Sequence, residues 1–104
     1  MAYDPARDPL YGMAASLSSP TRHLRLVEPS DTVDLDPYAK ALWVFVPTGM
    51  ANAVVRLTPV GAADDSFIDV QALPGLQPLP PCQARRVWLT GTTAGLAVYA
   101  LSDR

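Results

Sequence analysis

From His23 onward, hydrophobic and polar positions follow the patterns of short β-strands. In residues 23–27, Leu24 and Leu26 share one face of an extended chain while His23 and Arg25 share the other. Residues 41–46 read Ala-Leu-Trp-Val-Phe-Val, a continuous apolar run rich in branched and aromatic side chains, which predicts a central strand buried on both faces. Residues 53–58 alternate, with Ala53, Val55 and Leu57 expected inward and Arg56 and Thr58 outward. Residues 66–72 alternate again, Ile68, Val70 and Ala72 opposing Asp69 and Gln71. The last two predicted strands are residues 84–90 and 95–101. The second of these is apolar on both faces, so it is expected to be central or covered by a partner. The Gly91-Thr92-Thr93 corner between them predicts a β-hairpin.

Turn chemistry separates these runs. Glu28-Pro29-Ser30-Asp31-Thr32 is a turn of proline and short polar side chains, and Pro47-Thr48-Gly49 ends the apolar run of residues 41–46. Residues 73–81 carry Pro74, Pro78, Pro80 and Pro81. They cannot form a central strand, because proline donates no ladder hydrogen bond, so they predict an extended cover or connector. Residues 1–20 read as an extended N-terminal arm interrupted by Pro5, Pro9 and Pro20, with one helical turn expected near residues 10–17. The arm still carries Tyr3, Leu10, Tyr11, Met13 and Leu17, which predicts that it docks on its own domain, a neighbouring subunit or a larger body. The expectation is an all-β fold, a small antiparallel sandwich or barrel of about six strands over residues 21–104, preceded by the arm.

Composition narrows the function. The chain has 104 residues, 49% hydrophobic and 17% charged, enough for one core and too apolar for disorder. Its formal charge is −2, Lys40 is its only lysine, and no basic stripe could neutralise a run of phosphates, so nucleic acid is not expected as a partner. No run of 18 apolar residues predicts a membrane-spanning helix, and the first residues lack the basic-then-apolar order of a signal peptide. A single cysteine, Cys82, permits no intrachain disulfide. Assembly in a cytoplasm is therefore expected, with no membrane partner.

Candidate chemistry is sparse. His23 is the only histidine and lies beside Arg22 and Arg25, where a solvated strand histidine is the simpler reading than a catalytic base. Cys82 follows Pro80-Pro81 and reads as a structural thiol, since a thiolate needs a helix N-terminus or a cation beside it. One histidine and one cysteine cannot close a zinc shell. The Asp31, Asp34, Asp36 cluster and the Asp64-Asp65 pair lack the glycine and distal glutamate of a calcium loop, and turn chemistry or pairing with arginines accounts for them. No catalytic residue, metal or cofactor is expected. What stands out is aromatic: Tyr38, Trp43, Trp88 and Tyr99 lie on or beside strands of a domain too small to bury every ring. Trp43 is expected in the core. Trp88 shares a strand face with Arg86, and aromatics with arginines are enriched at protein interfaces, so Arg85, Arg86 and Trp88 are candidates for a subunit interface and Tyr99 for a surface aromatic.

Three segments carry a resemblance. They are Asp8-Pro9-Leu10-Tyr11 with Leu17-Ser18-Ser19-Pro20-Thr21-Arg22-His23, then Thr32-Val33-Asp34-Leu35 with Lys40-Ala41-Leu42-Trp43-Val44, then Leu79-Pro80 with Arg85-Arg86-Val87-Trp88-Leu89-Thr90-Gly91-Thr92-Thr93-Ala94. In order and spacing the chain resembles the head spike base proteins of gene transfer agents (GTAs) and their prophage-like relatives. The resemblance implies a structural, non-enzymatic protein on the surface of a phage-like particle, a ring, expected to be a pentamer, at the head vertices. It implies three partners: further copies of the chain, a capsid protein and a spike fibre protein that contacts host-surface polysaccharide. On this reading Tyr3, Leu10, Tyr11 and Leu17 of the arm would attach to the capsid or a neighbour. The competing expectation is a carbohydrate-binding β module using Trp88 or Tyr99 as a platform.

Overall fold

The computed structural model describes residues 3–9, 12 and 20–103. Seven strands follow one another: β1 (His23–Leu26), β2 (Ala41–Val46), β3 (Ala53–Pro59), β4 (Ile68–Ala72), β5 (Gly75–Pro78), β6 (Ala84–Val87) and β7 (Ala97–Ser102). They form two antiparallel sheets, a four-stranded one in the order β1-β7-β2-β5 and a three-stranded one in the order β4-β3-β6. The inner faces meet in one core of Leu42, Val44 and Val46 from β2, Val55 and Leu57 from β3, Val87 from β6, and Val98 and Ala100 from β7. Each of these leucines and valines contributes roughly 1.5–3 kcal/mol by leaving water. The all-β sandwich expected from the alternation is the observed fold.

β7 runs between β1 and β2, with Val98 and Ala100 in the core and Ala97, Tyr99 and Leu101 half-buried on the outer face. β2 is also internal to its sheet, but only its even-numbered face is in the core. Trp43 is half-buried and Phe45 exposed on the outside, so neither the doubly buried strand nor a core position for Trp43 is observed. In β3, Ala53, Val55 and Leu57 point inward as expected, yet Thr58 is fully buried although it points away from the core. Its hydroxyl accepts from the Trp88 indole N–H at 2.8 Å and donates to the Ser66 carbonyl at 2.8 Å, so the ring of Trp88 covers it.

Two expectations need correction. The proline-rich connector contains a strand, β5, which sits at a sheet edge, where Pro78 takes nothing from the ladder because its ring faces outward. It makes the strands seven rather than six. The predicted hairpin is absent: β6 pairs with β3 in one sheet and β7 pairs with β1 and β2 in the other. The Gly-Thr-Thr segment crosses between the sheets instead. Thr92 and Thr93 accept, through their hydroxyls, the backbone N–H groups of Arg56 and Val54 at 3.0 and 2.9 Å, and the Thr93 N–H reaches the Val54 carbonyl at 2.8 Å. These bonds extend the edge of β3 beyond β6. Gly91 and Gly95, at φ +97° and +90°, make two separate corners where one tight turn was expected.

Residues 27–39 lie along the outer edge of β6. The N–H groups of Ser30, Leu35 and Ala39 reach the carbonyls of Val87, Arg85 and Ala84 at 3.0, 2.7 and 2.8 Å. The chain then enters β2 in the opposite sheet. Before the first strand, Pro5–Arg7 form one 3-10 turn capped by Asp4, whose side chain accepts from the Ala6 N–H at 3.0 Å. The helical turn expected near residues 10–17 lies outside the described residues.

Candidate interaction surface

The outer face of the three-stranded sheet holds Arg85, Arg86 and Trp88. Arg85 and Arg86 are only 8% and 9% exposed. Asp34 lies between them, one oxygen accepting from Arg85 Nη1 at 2.8 Å and the other from Arg86 Nε at 2.7 Å. Arg85 also meets Asp64 at 2.7 Å and the Ala62 carbonyl at 2.8 Å. Partial burial opposes the charge on Asp34, but the two guanidinium hydrogen bonds outweigh it and hold the carboxyl below the ordinary range. These arginines are engaged inside their own chain, where they pin residues 31–35 and the 62–64 loop onto β6.

The aromatic groups continue this network. The Arg86 guanidinium lies 5.4 Å from the Trp88 ring, Phe67 meets Trp88 edge-on at 5.5 Å, and Arg56 lies over Phe67 at 3.9 Å. Arg56 also pairs with Asp69 at 2.8 Å. At the far end, Asp31 takes the N–H and hydroxyl of Thr90 at 2.8 and 2.6 Å, and the hydroxyl bond foremost lowers its pKa. With Phe67 against its ring edge, the Arg86 cation over it and its indole N–H bonded to Thr58, Trp88 is a packed group rather than an open platform.

Tyr99 belongs to the other outer face. The register aligns Leu26, Tyr99, Trp43 and Pro78 in one row across the four-stranded sheet, with Leu24, Leu101 and Ala41 in the row on one side and Ala97, Phe45 and Leu76 on the other. These positions share the face turned away from the core. A groove of about 390 Å³ runs between Leu24, Trp43, Leu76, Tyr99 and Leu101. Leu24 and Leu26 are 66% and 67% exposed. Contiguous apolar surface on a small domain marks a site that another molecule covers. The sequence carried its signal in the even residues of β1 and in the second apolar face of β2, although neither alternation shows which face meets the core.

The arm is described only in part. Tyr3 donates to Asp8 at 2.5 Å, and Arg22, just ahead of β1, pairs with the same carboxylate. Leu10, Tyr11 and Leu17, the other candidate attachment residues, lie outside the described residues. Elsewhere Cys82 is half-buried at the approach to β6, and His23 is exposed on β1. Among the described residues no group of three or more His, Cys, Asp or Glu side chains could hold a metal ion.

No protein-family model matches this chain, and no curated protein matches it. Among solved structures it is similar to a chain of the structure described as "Capsid of native GTA particle computed with C5 symmetry". The likeness has a TM-score of 0.62 at 26% sequence identity and covers 91% of this chain and 99% of that one.

Proposed function

We propose that this chain is a structural component of the head of a phage-like gene transfer agent particle. It forms an oligomeric spike base, a ring of five at the capsid vertices, that anchors a fibre for host-surface contact. The observation that carries the reading is the end-to-end likeness to a chain of a GTA particle capsid, at 26% sequence identity. That capsid was computed with C5 symmetry, which is compatible with five copies around a vertex. The geometry supports an assembly role as well. A buried arginine-aspartate network makes a rigid wedge of the three-stranded sheet, and the opposite sheet offers an apolar face to another protein.

The residues expected at interfaces take their places within this reading. The arm, from Tyr3 through Leu10, Tyr11 and Leu17, attaches the wedge to the capsid or to a neighbour. Arg85, Arg86 and Trp88 act by stiffening the subunit that presents the interface. The face around Tyr99 and Trp43 takes the capsid or fibre partner. A leucine-lined face with one tyrosine hydroxyl is poorly suited to sugar, which asks for polar groups around the ring, and the packing of Trp88 withdraws the other aromatic platform.

The test is co-sedimentation. A tagged copy, produced in the bacterium that encodes it, is predicted to band with DNA-filled particles through successive density gradients. Deletion of residues 1–20 is predicted to leave the domain folded and to reduce its occupancy on particles severalfold. A full-length chain that stays at the top of the gradient, away from intact particles, would refute the reading.

A further inference from the structure

Two of the four sheet edges in this sandwich are covered or guarded. The β6 edge is bonded to residues 27–39. The β5 edge turns Leu76 and Pro78 outward, since Leu79 N–H, next in register, bonds inward to the Leu42 carbonyl at 2.9 Å; Pro78 has no N–H, so Leu76 alone offers an outward N–H there. The other two edges differ. Val27 N–H bonds to the Val98 carbonyl at 2.8 Å, so the alternation of an antiparallel ladder turns Arg25 toward β7 and leaves the N–H and C=O groups of Leu24 and Leu26 facing out. On β3, Val54 and Arg56 bond toward Thr93 and Trp88, so Val55 and Leu57 bond to β4, which leaves the N–H and C=O groups of Asp69 and Gln71 facing out. Among the described residues neither set has a backbone partner.

These open edges lie on opposite flanks of the molecule. β1 and the covered β6 share one flank, because residues 27–39 pass directly from one to the other and Arg25 donates to the carbonyls of Asp36 and Pro37. β4 and β5 share the other, joined by only Leu73 and Pro74. Some exposed large apolar side chains lie on these edges, Leu24 and Leu26 on β1 and Phe67 and Ile68 at the start of β4, while others, such as Phe45 and Leu89, lie elsewhere. The charges are complementary too. Arg22 is paired with Asp8, Asp64 with Arg85 and Asp69 with Arg56, so the charges left to act across a contact are Arg25 at β1, bonded among the described residues only to two carbonyls, and Asp65 before β4. Two β1 strands brought together would set Arg25 against its own copy.

We propose that copies of this chain join head to tail by strand pairing, the open edge of β1 in one copy against the open edge of β4 in the next. The four-stranded sheet of each subunit then continues into the three-stranded sheet of its neighbour. Such a contact is heterologous and closes into a ring when its rotation permits. The main-chain bonds supply affinity and the opposed charges supply direction. The inference deepens the particle reading, on which it rests for the number of subunits, but the pairing itself is testable without particles.

The experiment is native mass measurement on the full chain and two proline variants. Leu26→Pro removes an outward N–H from β1, and Gln71→Pro removes one from β4, both at edge positions where proline spares the existing ladder. Wild type is expected as a closed ring. Each variant alone is expected as a monomer with a wild-type circular dichroism spectrum. A one-to-one mixture is expected as a heterodimer and nothing larger, because Leu26→Pro keeps its β4 edge and Gln71→Pro keeps its β1 edge. Leu26→Glu, which sets a buried acid in the new strand pair with the backbone intact, is expected to lose the ring as well. A monomeric wild type, a proline variant that keeps the wild-type mass, or a mixture that stays monomeric would each overturn the proposal. A ring that survives in all variants, on a chain that still bands with particles, would reject this interface and leave the particle reading standing.

Discussion

At the scale of single residues, Asp34 does more than any other polar group. Its two oxygens serve two guanidiniums with little exposure, which are costly to leave unpaired. Asp34→Ala is expected to lower stability by about 3 kcal/mol, measured by urea unfolding. The effect of pH has a definite sign. Asp31, Asp34 and Asp69 are all held below the usual carboxylate range by hydrogen bonds, so their contribution is complete above an unfolded pKa of about 4. It is lost as pH falls through their lower folded values. The urea midpoint is therefore expected to drop below roughly pH 4, and more gently in an Asp34→Asn protein. At Gly91 the backbone is left-handed, and an added Cβ would overlap the Arg56 guanidinium. Gly91→Ala is expected to cost about 1–2 kcal/mol in a thermal melt and to break the Arg56–Asp69 pair. The sequence made the aspartate cluster and the arginine pair visible as residue types. It could not join them, because 51 and 52 residues separate Asp34 from its partners.

At the scale of elements, legibility followed the length and regularity of each pattern. β3 and β7 could be read because apolar positions persist over six or seven residues. β5 could not, since a four-residue edge strand tolerates the proline that would exclude it from a sheet centre. The failed hairpin has a similar cause. Alternation and a glycine corner describe two strands and a turn, but they carry no information on which strand each one pairs with. The hydroxyls of Thr92 and Thr93 decide the matter by bonding to β3. The outer face of the four-stranded sheet illustrates the remaining limit. Leu24 and Leu26 alternate as a buried stripe would, yet they face away from the core while Arg25 turns inward onto two carbonyls. An apolar stripe that serves a partner reads like one that serves the core. Replacing Trp43 and Phe45 together by serine is expected to shift the melting temperature little compared with Leu42→Ala, which should cost about 2–5 kcal/mol. The same double replacement is expected to remove the chain from particles, measured as band occupancy in a gradient.

For the whole molecule, the sandwich presents an apolar sheet face, a charged sheet face held by internal ion pairs and two flanks with open strand edges. A monomer with these features has unsatisfied surfaces on three sides, which suits a part in a larger assembly better than a solitary binding domain. The fold class could be argued from the sequence, and the segment resemblance pointed to a phage-like particle. Which surfaces are free required the strand order. The measurement that tests the particle account most directly is a cryo-electron microscopy reconstruction of particles from a strain with the chain and a strain without it. The account predicts density fitting five copies of this sandwich around each occupied fivefold vertex in the first strain and bare vertices in the second. Identical vertices in the two strains, with the density of the sandwich at neither, would contradict it.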